Sequence, residues 1–150
     1  MATLIKSITS NNLVLDNSAL ENDFFEDVKL IGIVCASEYY RLISYINQCL
    51  GFAFVKNHEL EILIHDRYFP VFEFVDDEKA MEHYIFCNRR GTHFMMPDAK
   101  NIDFIWLVKG NTQYQESITQ LPISLKKVPG IDFCFDIKST SLKMRQLLII

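Results

Sequence analysis

The 150-residue sequence has no C-x-x-C pair, no clustered glycines and no long apolar run. Each absence removes a class of function. Its four cysteines, Cys35, Cys49, Cys87 and Cys134, are scattered, so neither a zinc site nor a dithiol redox motif is indicated. Three of the four lie inside apolar runs, which predicts buried, reduced thiols in a cytoplasmic protein. The five glycines stand apart, and neither G-x-x-x-x-G-K-[ST] nor G-x-S-x-G occurs. A phosphate-cradling loop and a nucleophile elbow are therefore not expected. No apolar run reaches the roughly 18 residues of a membrane-spanning helix. The opening "MATLIKSITSNNLVL" has no long apolar h-region, so a secretory signal is not expected either. Basic residues are outnumbered, 15 against 19 acidic, giving a net charge of −4. A nucleic-acid role would need a basic face instead.

What the chain does have is apolar and aromatic bulk. Apolar residues make up 49% and charged residues 23%, an ordinary globular balance that predicts one domain over residues 1–150. Twelve Phe, six Tyr and one Trp lean the fold toward sheet, because aromatic side chains pack well on a pleated surface.

Periodicity places the elements. "NLVL", Asn12 to Leu15, reads as a first short strand, followed by an acidic turn region with Phe24 and Phe25 as anchors. "KLIGIVCA", Lys29 to Ala36, is a nearly continuous apolar run and predicts a central strand. "SEYYRLISYINQCLG" predicts a helix, with Ser37 as N-cap, Gly51 as stop and a stripe of Tyr39, Ile43, Ile46 and Leu50. "FAFV" and "ELEILI" are short extended pieces. Arg67–Val75 and Ala80–Asn88 flank the acidic "DDEK" as a hairpin. Pro70 pushes the first arm toward a sheet edge or a bulge, since it cannot donate to a ladder. "RRG", Arg89 to Gly91, is a turn, and "THFMM" a short strand that Pro97 ends. Ile102–Gly110 predicts an interior strand. A second helix is expected between Asn111 and Gly130, with Thr112 and Gln115 as a capping box and Pro122 as a kink or stop. "IDFCFDI", Ile131 to Ile137, alternates, with Phe133, Phe135 and Ile137 inward and Asp132, Cys134 and Asp136 in solvent. "SLKMRQLL" closes the chain as a short helix. Helices do not alternate with strands, so the expected class is α+β. The architecture is a single layer of mainly antiparallel sheet, with two main helices on one face and a short C-terminal helix.

The stretch "MPDAKNIDF", Met96 to Phe104, is the main candidate for chemistry. Asp98 and Asp103 flank a turn and could converge as a carboxylate pair. The simpler reading is structural, with Pro97 fixing φ and the acids accepting backbone hydrogen bonds at a strand entrance. The stretch resembles the I-P-E-x-x-x-V-D-Y signature of the IPExxxVDY family of small bacterial proteins. Pro97 and Asp103 match it identically, and Met96, Asp98, Ile102 and Phe104 are conservative replacements. "LVLD", "LIGIV", "EYYRLISYINQCLG", "CNRRG" and "LKKVPGIDFCFDI" fall in the order of that family, so the resemblance spans nearly the whole chain. It implies a small cytoplasmic protein of Bacteroidetes-type bacteria and no particular activity.

Other candidates are weaker. His83 and Cys87 share one strand face, but His58, His65 and His93 offer no ligands at short spacing, so no metal is expected. Arg89 and Arg90, with Arg67 and Lys79, form either a small cationic patch or a solvated turn. Tyr40 and Arg41, with Ser37, open the first helix and could receive an anion there. The sequence thus predicts a non-catalytic cytoplasmic interaction module, without cofactor, that pairs with itself as a homodimer or with another protein. The alternative is a small-molecule sensor domain of ferredoxin-like character, with a site formed by Ser37, Tyr40, Arg41, Asp98 and Asp103.

Overall fold

A computed structural model describes residues 11–110 and 115–150. Six strands form one antiparallel sheet. In chain order its members are β1 (Val28–Cys35), β2 (Val55–Lys56), β5 (Val71–Asp76), β6 (Met81–Cys87), β9 (Phe104–Gly110) and β10 (Ile131–Ile137). Their order across the sheet is β10-β1-β9-β6-β5-β2. Two small ribbons stand beside it: β3 (Ile62–Ile64) with β4 (Arg67–Phe69), and β7 (Arg89–Arg90) with β8 (His93–Phe94). The helices are α1 (Asn11–Glu26), α2 (Tyr39–Leu50) and α3 (Gln115–Leu125). The α+β class expected from the sequence is the class observed.

The inner four strands, β10-β1-β9-β6, have a recognisable connectivity. β1 leads through α2, and then by way of β2, the β3–β4 ribbon and β5, to β6; β6 and β9 are antiparallel neighbours, and β9 leads through α3 to β10. That is a split β-α-β pattern, ferredoxin-like, with β5 and β2 added beyond β6. Both α2 and α3 cover the same face. Leu42, Ile43 and Ile46 of α2 and Leu121 and Leu125 of α3 are buried against Ile31, Ile33, Phe104, Trp106 and Ile85. Strand alternation puts the neighbouring residues, Leu30, Ile105, Leu107, Tyr84 and Phe86, on the opposite face. That face is covered too, by Phe25, by Ile62 and Phe69 of the ribbon, by Met95 to Ile102 and by Leu142 and Leu148. The interior strands are apolar on both sides for this reason.

Several local expectations change. "NLVL" is not a strand but part of α1, which runs on through the segment expected to be a turn. Its Asn, Asp and Ser residues suggest turns locally, but no Gly or Pro interrupts it, and tertiary contacts hold it. Phe25 is buried, and Arg145 reaches Asn22 at 2.7 Å and Glu21 at 3.4 Å. Helix α2 begins one residue later than expected. Glu38, not Ser37, is its N-cap, without a side-chain cap, while Gly51 ends it in the left-handed conformation at φ 74°. Pro70 splits its arm into β4 and β5 instead of marking the outer edge, which β2 occupies. Pro122 does not end α3, and the Thr112 capping box lies outside the described residues. The C-terminal helix is a 3-10 turn at Arg145–Leu148. On β10 the expected inside and outside are partly exchanged. Cys134 is buried beneath α3, its thiol 3.1 Å from the Pro122 carbonyl, while Phe133 is 58% exposed. An edge strand flanked by a helix on one face and a half-open groove on the other has no cleanly solvated side.

Gly32 sits on β1 opposite Phe135 of β10. A Cβ there would lie 2.9 Å from the Phe135 ring and 3.0 Å from Ile137. The missing side chain lets the ring lie across the backbone. Gly32→Ala is expected to destabilise the fold by about 1 kcal/mol, near the lower end for overpacking, because the half-exposed ring can yield. Urea denaturation of the variant checks this.

Candidate functional site

The "MPDAKNIDF" stretch is organised by two polar residues, Asn88 and Asp103. Asn88 follows the apolar run of β6 and is completely buried. Its amide donates to the carbonyls of Ala99 at 2.9 Å and Ile102 at 2.8 Å, and its side-chain oxygen accepts from the Met96 N–H at 2.9 Å. Its carbonyl accepts from Met95 N–H at 2.7 Å. One side chain therefore closes the loop from Met96 to Ile102, including the 3-10 turn at Pro97–Ala99. A buried amide is stable only when its groups are satisfied, and here they are.

Asp103 performs the second closure. One carboxylate oxygen accepts from Arg89 Nε at 2.7 Å, and the other from the Cys35 backbone N–H at 2.8 Å. Arg89 also donates to the Cys35 carbonyl at 3.0 Å. The Asp103 carbonyl accepts from the N–H groups of Asn88 and Arg89, and its own N–H donates to Ile33. Both side chains are mostly buried, at 15% and 19% exposure. The arrangement is a clamp joining the end of β1, the exit of β6 and the entrance of β9. Both carboxylate oxygens are engaged, one by the Arg89 guanidinium and one by the Cys35 backbone N–H.

The other expected site residues lie in different places. Asp98 is exposed and accepts from the Lys143 N–H at 3.2 Å, tying down the C-terminal segment. Ser37 is half-buried beside Gly130, where a Cβ would come within 2.8 Å of its hydroxyl. Tyr40 is exposed and packs edge-on against Tyr39, and Arg41 is exposed. No hydrogen bond joins Asp98 to Asp103, or either to Tyr40 or Arg41, among the described residues. Arg89 and Arg90 also part: Arg89 joins the clamp, and Arg90 donates to the Tyr68 carbonyl on the ribbon.

Sequence reasoning missed Asn88, whose signal was a lone amide ending an apolar strand. It also missed the setting of His83. This ring is surrounded by Phe52, Phe54, Phe74 and Trp106, with centroids 5.1 to 6.3 Å away. Trp106 Nε1 lies 3.1 Å from His83 Nδ1. Indole N–H can only donate, so Nδ1 accepts and the ring is neutral with its proton on Nε2. Burial lowers its pKa to about 4, against a partial opposing pull from Asp76. A small cavity of about 70 Å³ adjoins it, lined by Phe52, Asp76, Lys79, Met81, Ile118 and Leu121.

Two of the buried thiols, Cys87 and Cys134, are poor nucleophiles. Burial pushes the Cys87 pKa up to about 12 and raises that of Cys134. Burial and a 2.6 Å hydrogen bond to Glu82 likewise raise the Tyr84 phenol. Among the described residues, no three His, Cys, Asp or Glu side chains gather as a metal site, and no helix is long and apolar enough to cross a membrane.

The remaining feature is the sheet's open edge. Among the described residues, β10 pairs with β1 and with no strand on its other side. At the opposite margin, β2 is only two residues long. Beside β10 runs an open groove of about 380 Å³, bordered by Asp98, Ile102, Phe135, Ile137, Lys138 and Leu142. No known family model matches the chain, and no curated protein matches it.

Two outcomes are expected. Asp103→Ala removes one partner of a buried ion pair and is expected to cost about 3 kcal/mol, whereas Asp98→Ala costs under ~1 kcal/mol. Chemical denaturation separates them. For His83, the unfolded ring binds a proton below its ordinary value of 6.5, while the folded ring resists until about 4. Stability is therefore full above pH 6.5 and falls as pH drops toward 4, by about 3 kcal/mol in total. Denaturation between pH 7 and 4.5 should show that slope, flattened in His83→Gln.

Proposed function

We propose that this chain is a non-catalytic interaction module that associates with a second copy of itself. The observation that carries this reading is the seven-residue edge of β10, unpaired on its outer side among the described residues, with Phe133 58% exposed upon it. A free strand edge presents unpaired N–H and C=O groups and is a template for pairing unless it is short, bulged, charged or covered. The other margin of the sheet is short. The β10 margin is long and apolar on one face. The polar centres support the same reading, since the Asp103 and Asn88 networks hold backbone and the His83 ring is neutral and caged.

The resemblance to the IPExxxVDY family belongs to this proposal, as do a bacterial origin and a cytoplasmic location. Pro97 and Asp103, its identical positions, sit in the loop and clamp just described, so the signature reads as a mark of this fold. A second reading, a small-molecule sensor domain, draws on the split β-α-β topology and the groove beside Asp98.

A native mass spectrum tests both. A dimer mass without added mass is expected. Phe133→Glu, an exposed substitution, should weaken the dimer at least about tenfold. A monomer at all concentrations up to about 100 µM would defeat the proposal; a retained small molecule would favour the sensor.

A further inference from the structure

Strand β10 reads I-D-F-C-F-D-I, a palindrome centred on Cys134. When its own copy meets it antiparallel about a two-fold axis at that centre, each residue is set against its own type, apolar against apolar but acid against acid. Resting on the proposal of self-association, we infer that two copies join β10 to β10 in one particular register, making a continuous twelve-stranded sheet.

The ladder phase determines which groups are free. The Asn88 N–H donates to the Asp103 carbonyl, which puts the even residues of β9 toward β1. The odd residues of β1 answer them, so its even residues, Leu30, Gly32 and Val34, bond to Ile137, Phe135 and Phe133. Cys134 and Asp136 therefore turn their backbone N–H and C=O outward. The ladder shifts between Val34 and Cys35, which leaves Asp132 without a partner on β1. Lys138 continues the extended backbone at φ −83° and ψ 126°.

Outward residues must pair with outward residues, which leaves three compact registers, centred on Phe133, Cys134 or Phe135. Centring on Phe133 sets Asp132 against Cys134 of the second copy and brings no opposite charges together. Centring on Cys134 sets Asp132 against Asp136 of the second copy, a like-charge contact made twice. Like charges directly opposite are destabilising. Centring on Phe135 sets Asp132 against Lys138 of the second copy, also twice, and makes Cys134 and Asp136 a hydrogen-bonded pair. Phe135 then faces itself, and Phe133 lies across from Ile137 in non-hydrogen-bonded pairs, where side chains approach most closely. Ile137 borders the open groove. The exposed Phe133 of each copy thus gains an apolar wall on the other. Asp136 is already matched by Lys29 at 3.3 Å. Charge and apolar complementarity together select the Phe135-centred register.

The test is a charge swap at two exposed positions, read by dissociation constant. Asp132→Lys and Lys138→Asp should each weaken the dimer about tenfold, and the double variant should return to within about threefold of the starting protein. Circular dichroism checks that each variant stays folded. A dimer tightened by Asp132→Lys would overturn this register in favour of the Cys134-centred one. A dimer indifferent to all three variants would overturn β10 pairing and leave self-association elsewhere on the surface. A monomeric starting protein would overturn both.

Discussion

The Asp103 carboxylate holds three separate pieces of chain at one point. The end of β1, the exit of β6 and the entrance of β9 are adjacent in space but far apart in sequence. Asp103 meets Cys35 across 68 positions and Arg89 across 14. Contacts of that separation cost loop-closure entropy before they stabilise anything. A charge-assisted hydrogen bond at 15 to 19% exposure, with the second carboxylate oxygen held by the Cys35 N–H, is strong enough to fix the junction. Asn88 then closes the adjoining loop. With the junction set, β9 enters the middle of the sheet in register, and the two cores form on its two faces.

That register also explains the aromatic box. Trp106 and His83 lie on adjacent strands, one diagonal step apart, because Ile85 is directly opposite Trp106 and His83 opposite Val108. The diagonal distance suits an indole N–H reaching an imidazole nitrogen. The bond completes the polar bookkeeping of a face that is otherwise apolar. Its consequence is a buried histidine that favours the folded state only while neutral.

Much of the fold was legible from local pattern. Lys29–Ala36 and Ile102–Gly110 read as interior strands because both faces are apolar, and β1 and β9 are interior. The i, i+4, i+7 stripe of α2 and the stop at Gly51 were equally plain. The hairpin around the acidic turn appears as β5 and β6. What was not legible depended on distant partners. Helix α1 is anchored by Arg145, more than a hundred residues away. The inward turn of Cys134 depends on α3 lying above it. The turn-and-strand reading of "MPDAKNIDF" needed only proline and aspartate chemistry, but the carboxylate's partners, Arg89 and Cys35, come from tertiary structure. The burial of Arg89 was invisible in a dipeptide that looks like a solvated turn.

The sheet's two margins differ in a way that gives the molecule a direction. One ends in a two-residue strand, the other in seven residues of palindromic sequence. The most direct measurement is amide hydrogen exchange along β10 at low and high protein concentration. The account predicts that Phe133 and Phe135, bonded to β1, are protected at both, while Cys134 and Asp136 gain protection as concentration rises. Exchange at Cys134 and Asp136 that does not change with concentration would contradict it.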